Sequence, residues 1–349
     1  MKIGVELGER RYDVVVREGA RKELKTLLDE RAPAASSVAI VTSASLESAP
    51  WFDFESGRDQ FTLQVPEGEA AKTISVLDAL LEQLAEQRLS RDDVIVAVGG
   101  GAITDLVGFA AATYLRGVSL VQVPTSLVGQ VDAAIGGKTG VNLRAGKNLA
   151  GAFYQPIGVL CDTGVLSTLP ERERLSGLGE VAKCWLLEER GVEDLGSASL
   201  SSLIELSIGL KARIVSGDER EGSSRVLLNY GHTLAHALEK LALRRSADEL
   251  RHGEAVAVGL AFAARLARAL GRVSDEVIAY HDEVLDVLGL DGRIPDNFAV
   301  DELLEAMTFD KKARHDLSFV LAGPGGYELV SGVEASLVET TLHEFKGEQ

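Results

Sequence analysis

The chain has 349 residues, 46% of them apolar, with 36 basic against 53 acidic side chains and a formal charge of −17. That size suits two domains with real cores, and acidic charge without a basic stripe excludes nucleic acid as the main partner. No apolar run reaches membrane-spanning length and the N-terminal MKIGVELGERRYDVVV lacks a signal core, so a cytoplasmic protein without a membrane partner is expected.

Residues 3–16 predict two short strands around the polar turn GERR, followed by a helical run over 21–30 and buried strands at 38–42 and 61–65. KTISVLDALLEQLAEQ (72–87) has the apolar spacing of an amphipathic helix. It leads into DDVIVAVGGGAITDLVGFAAATYL, a strand, three glycines and a helix from about Thr104. Such alternation means a mostly parallel sheet with helices on both faces. Gly99, Gly100 and Gly101 lie where bare backbone N–H groups and a helix N-terminus can meet a phosphate, or where a tight turn simply needs glycine. The spacing is not GxGxxG, so the usual dinucleotide fingerprint is missing. A strand ending at Pro124 then brings Thr125 and Ser126 to its mouth. Residues 131–148 gather Asp132, Lys138, Lys147 and Asn148 in a glycine-rich loop that should stay outside any core. Two lysines and an amide there suit an anionic group such as phosphate; a solvated surface loop is the other reading.

After GVLCD (158–162) helical periodicity takes over, which places a boundary near residue 163 and domains at 1–162 and 163–349. Cys161 and Cys184 sit in apolar runs without CxxC spacing and read as reduced core thiols. Glu180 and Lys183 stand three apart on one helix among apolar neighbours, either a surface ion pair or a buried carboxylate with a lysine beside it. Lys211 lies on the next helix, and Arg225 and Asn229 follow. His232 and His236 are four apart on one helix face, and His252 opens another helical run. Imidazoles from two helices can hold a divalent metal with an open position, although each could equally be a capping or core histidine. Lys311 and Lys312 precede a hairpin turning at Pro-Gly-Gly, and a helix closes the chain. A nucleotide cofactor and a small polyanionic substrate meeting in a cleft would account for these parts.

Several stretches, in order from about 65 to 325, carry a family resemblance: GGGAITDLVGFAAATYLRG, QVPTSLVGQVDAAIGGKTGVN, GKNLAGAFYQP, TLPERE, GLGEVAK, LLNYGHTLAHALE, RHGEAVAVG and DKK. As a set they resemble 3-dehydroquinate synthases and the wider sugar phosphate cyclases. The resemblance implies an α/β Rossmann-like nucleotide-binding domain followed by a mostly α-helical metal- and substrate-binding domain. It also implies NAD, a zinc-type ion (Zn²⁺ or Co²⁺), and a phosphate-eliminating cyclisation of 3-deoxy-D-arabino-heptulosonate 7-phosphate. It makes Glu180, His232 and His252 the metal ligands. Lys138, Asn148, His236 and one of Lys311 and Lys312 (Lys312 favoured) would hold the substrate phosphate, with Arg116 reaching in from the partner of a homodimer. Lys211 and Arg225 would grip the carboxylate, and Asp132, Lys183 and Asn229 the hydroxyls. The cofactor side would comprise Glu69, Lys72, Gly100, Gly101, Asp105, Thr125, Ser126, Lys138 and Lys147. One departure concerns Ser43 and Ser45, where the family usually has Asp and Asn on the adenosine ribose, so weaker NAD binding or a rearranged contact is expected. Alternatives are a cyclase for the amino analogue of the substrate and a metal-dependent polyol dehydrogenase. Cyclases of sedoheptulose 7-phosphate change the positions of Asn229 and His236, which are intact here.

Overall fold

A computed structural model describes residues 1–245, 250–308 and 316–348. The chain forms two units, Met1–Pro170 with Leu200–Arg220, and Glu171–Ser199 with Glu221–Gln349. In the first unit the strands are β1 (Lys2–Val5), β2 (Tyr12–Arg17), β3 (Ser37–Thr42), β4 (Asp59–Gln64), β5 (Val94–Gly99), β6 (Ser119–Pro124), β7 (Lys138–Leu143), β8 (Gly146–Phe153) and β9 (Gly158–Asp162). Seven of them make one sheet of order β1-β2-β9-β6-β5-β3-β4. Only β1 and β2 pair antiparallel; the other neighbours run parallel.

The alternation of side chains along β3 and β5 feeds two cores. Ala39, Val41, Ile95 and Ala97 pack with the helices Ile74–Glu86 and Gly101–Thr113. Val38, Ile40, Val94, Val96 and Val98 pack with Leu24 and Leu28 of the helix Leu24–Arg31 on the opposite face. A strand covered on both sides has no polar face to show, so VIVAVG reads as one continuous apolar run.

Two sequence expectations change here. The unit boundary is not a single cut near 163, because the helix Leu200–Gly217 belongs to the first unit and packs on β1, β2 and the turn Gly129–Ala133. Helical periodicity reports the shape of an element and says nothing of the layer on which it docks. Of the glycine-rich loop expected at 131–148, the part from Lys138 onward is instead an antiparallel hairpin, β7 with β8, whose Thr139, Gly140 and Val141 are buried. A Cβ on Gly151 would lie 2.1 Å from the Thr139 carbonyl oxygen, and one on Gly108 would lie 2.3 Å from Thr139 Cγ2. These glycines allow close backbone approach; they do not mark a floppy loop.

The second unit is built on the helix His252–Ala269, buried along most of its length. Around it lie the helices Glu171–Leu187, His232–Arg244, Asp275–Val287 and Ala335–Gly347, with strand β10 (Asp316–Gly323). The helix Val300–Thr308 packs on His232–Arg244 and on Ala335–Gly347. β10 pairs with β11 (Gly326–Glu334) through the Pro324–Gly325 turn, as the sequence led one to expect. Among the described residues no helix is long and apolar enough to cross a membrane. Cys161 and Cys184 are free and buried.

Asp162, wholly buried at the end of β9, holds the first unit together locally. It accepts from Arg21 Nη1 at 2.6 Å and from the Gly19 and Gly164 amides at 2.9 Å each. Asp162→Ala strands the Arg21 charge, for which Asp53 remains as the ion-pair partner among the described residues. It is expected to lower the unfolding free energy by roughly 3 kcal/mol in urea titrations. A loss under about 1 kcal/mol would mean that Asp53 alone suffices.

Candidate active site

The helix Glu171–Leu187 is buried at every position from Ser176 to Leu186, so Glu180 is enclosed by protein. Gly231, at φ 78°, ends the turn Ser224–Asn229 and lets the helix His232–Arg244 begin on His232 itself. His252 likewise occupies the first position of its helix. Glycines press these three helices together. A Cβ on Gly253 would sit 1.6 Å from the Ser176 carbonyl oxygen, one on Gly179 2.2 Å from that of Gly253, and one on Gly259 1.9 Å from that of Gly231.

The outcome is a convergent donor set. Glu180 Oε1 lies 2.9 Å from His252 Nε2 and 3.3 Å from His232 Nε2. Lys183 Nζ pairs with the other carboxylate oxygen. The outer nitrogens are also engaged: His232 Nδ1 donates to the Tyr230 carbonyl at 3.0 Å, and His252 Nδ1 faces Glu239 Oε2 at 3.4 Å. A carboxylate and two imidazoles whose Nε2 atoms turn inward fit a zinc-type divalent ion with an open position. Burial alone would raise Glu180, but Lys183 and the two histidines hold it well below the usual carboxylate range. Burial would lower His252, yet the bonds to Glu180 and Glu239 raise it to about 10. His236 projects one turn further on, exposed, with its ring centroid 5.4 Å from that of His232, and lies outside the donor set. Arg225 is buried, and Asn229 Nδ2 donates to Glu221 Oε1 at 2.9 Å.

In the first unit the parallel register sets Gly99 of β5 beside Pro124 of β6, and the Thr125 amide donates to the Gly99 carbonyl at 2.9 Å. Thr125 and Ser126 therefore flank the glycine turn, and the helix starts at Gly101, three residues earlier than expected. A Cβ on Gly100 would come within 3.2 Å of Ser126 Oγ, so a side chain there would fill the cradle that a pyrophosphate needs. Beside it Lys72 Nζ bonds Asp105 Oδ2 and Asn148 Oδ1 at 2.6 Å each. Burial pushes Asp105 up to about 6 against the pull of Lys72. Asn142 donates to Glu69 Oε2 at 2.7 Å and accepts from the Asn148 amide at 2.9 Å. Lys211 Nζ bonds the Asp132 carboxylate and carbonyl oxygens at 2.6 and 2.5 Å. Lys138 is exposed at the start of β7, Lys147 is half-buried, and Arg116 is exposed with φ 66° in the turn after the glycine helix. Ser43 is buried, with its hydroxyl 3.3 Å from that of Ser45. Lys311 and Lys312 lie outside the described residues.

Three groups escaped the sequence reading: Glu239, the Tyr230 carbonyl and Asn142. Glu239 had a signal, since it lies seven residues after His232 on the same helix face. A backbone carbonyl and a hairpin amide have none.

A parallel α/β unit with a glycine strand-to-helix turn, and a helical unit with a Glu-His-His donor set of which Glu180 and His232 are buried, define a class: nucleotide- and metal-dependent two-unit enzymes. The models of the N-terminal and C-terminal parts of 3-dehydroquinate synthase match residues 62–176 and 177–313. A relative from Amycolatopsis mediterranei (strain S699), provisionally named aminodehydroquinate synthase, is 47% identical over 97% of this chain and 93% of its own. The 3-dehydroquinate synthase of Mycobacterium leprae (strain TN) is 45% identical over 90% of each. A crystal structure of 2-deoxy-scyllo-inosose synthase with carbaglucose-6-phosphate, NAD⁺ and Co²⁺ superimposes with a TM-score of 0.86 at 26% identity, covering 99% of this chain and 100% of that one. The chain belongs to the 3-dehydroquinate synthase family, a family of phosphate-eliminating cyclases that use NAD and a divalent metal.

Metal uptake tests the donor set. Equilibrium dialysis should find His252→Ala unable to retain Zn²⁺ or Co²⁺ and His236→Ala unimpaired; equal losses would break the assignment. Because the ion must displace the proton that His252 keeps up to about pH 10, apparent affinity should climb as pH rises toward that value. A flat profile between pH 6 and 9 would contradict it. Gly253→Ala, which forces a Cβ against the Ser176 carbonyl, should lose metal as well as stability.

Proposed function

We propose that this chain converts 3-deoxy-D-arabino-heptulosonate 7-phosphate to 3-dehydroquinate and phosphate, a step toward aromatic amino acids, as a cytoplasmic homodimer using Zn²⁺ or Co²⁺. The observation that carries the reading is the convergent Glu180–His232–His252 set, with Lys183 against the buried Glu180, in a chain that matches the family across residues 62–313. When bound, NAD supplies a reversible oxidation of one ring alcohol and the metal supplies Lewis acidity at that oxygen. The protein's own groups position and neutralise. Lys138, Asn148, His236 and Lys312, with Lys311 as the alternative, bind the phosphate; Lys211 and Arg225 bind the carboxylate; Asp132, Lys183 and Asn229 orient the hydroxyls. Arg116 serves the phosphate of a neighbouring subunit. Glu69, Lys72, Gly100, Gly101, Asp105, Thr125, Ser126, Lys138 and Lys147 form the cofactor side. The substrate's own phosphate is the base for its elimination, so the pocket is rich in positioning cations and needs no separate general base.

A second reading has its own support in the 47% relative named for the amino substrate. Under it the same residues act on the analogue in which an amine replaces one hydroxyl. Incubation with each seven-carbon acid phosphate, and identification of the products by mass, separates the two. Turnover of neither would end both.

Arg225→Ala should lose roughly 30-fold or more in kcat/KM on the acid phosphate, the lower end of what removing a buried charge-assisted contact costs. It should lose little on a carboxylate-free sugar phosphate; equal losses would make Arg225 structural. Mixing Arg116→Ala with His252→Ala protein should restore part of the activity through hybrid dimers. No recovery, with subunit exchange demonstrated, would count against a shared site.

A further inference from the structure

His281 and the Tyr230 hydroxyl are buried polar groups that the reading above leaves without a task. Both residues are wholly enclosed. His281 Nδ1 lies 2.7 Å from the Val277 carbonyl one turn back on the helix Asp275–Val287. A carbonyl can only accept, so Nδ1 carries the proton and Nε2 presents a lone pair. Tyr230 Oη lies 2.6 Å from that Nε2 and must donate to it. The Tyr230 ring is also braced edge-on by Tyr327, with centroids 4.8 Å apart.

What this anchor does follows from the backbone. Tyr230 sits between the turn Ser224–Asn229 and the left-handed Gly231, so neither helical segment sets the direction of its carbonyl. That carbonyl is the acceptor for His232 Nδ1. We propose that His281 is a positioning residue for the metal: through the Tyr230 hydroxyl it clamps the Tyr230 peptide, whose carbonyl fixes the tautomer and ring angle of His232. The inference rests on the metal reading of Glu180, His232 and His252.

The test is the visible absorption of the Co²⁺-loaded protein, which reports ligand geometry, together with Co²⁺ affinity measured against a chromophoric chelator. Tyr230→Phe keeps the ring and removes the clamp, but leaves the His281 lone pair buried and unmet. Tyr230→Phe combined with His281→Leu removes both partners, which relieves that penalty and restores thermal stability toward wild type. In the single and the double variant the Co²⁺ bands should shift or weaken, and affinity should fall about tenfold, the lower end of the effect of outer-shell partners. A stably folded double variant with wild-type bands and affinity overturns the clamp while leaving the metal site intact. Wild-type protein that takes up no Co²⁺ overturns the metal reading, and this proposal with it.

Discussion

A carboxylate enclosed in a helix that is buried all round is the constraint on which the second unit depends. Glu180 is wholly inaccessible, in a setting where a lone charge would cost several kcal/mol after relaxation. Its charge is kept because Lys183 stands one turn away on the same helix and two imidazoles face it from two others. That arrangement needs three helices at backbone contact. Gly179, Gly253 and Gly259 provide the contact, since a single methyl group at any of them would overlap a neighbouring backbone, and Gly231 supplies the left-handed turn at φ 78°. The packing thus brings together the donors whose chemistry it makes necessary. Each imidazole also has an outer partner, a carbonyl for His232 and Glu239 for His252.

The first unit uses glycine for a related purpose. At the end of β5 the missing side chains leave a cradle beside Ser126, and within the β7–β8 hairpin they let two strands and the helix Gly101–Thr113 lie flush. This ties the hairpin to the glycine turn through Lys72, which bonds Asp105 on the helix and Asn148 on β8. Lys72 is 5% exposed, so its two bonds define the position of its ammonium. Asn142 extends this network, donating to Glu69 and accepting from the Asn148 amide.

Much of this was legible in the sequence because it depends on local order. The apolar runs of β3, β5 and β6, the amphipathic spacing of Ile74–Glu86 and the glycine turn after VIVAV are properties of neighbours along the chain. So is the placing of His232 and His236 on one helix face and of His252 at the start of another helix. The assignment of Glu180 to the histidines required the family resemblance as well, because a Glu three residues before a Lys is also the pattern of an ordinary surface pair.

Other features only the tertiary structure decided. Helix Leu200–Gly217 has the periodicity of its sequence neighbours, yet it docks on the α/β unit, because an amphipathic stripe does not name its partner. The glycines of 131–148 looked like a loop because composition cannot distinguish a glycine needed for freedom from one needed for closeness. Which nitrogen of His232 carries the proton depends on the direction of one backbone carbonyl. That direction is a matter of three-dimensional packing, so no residue letter encodes it.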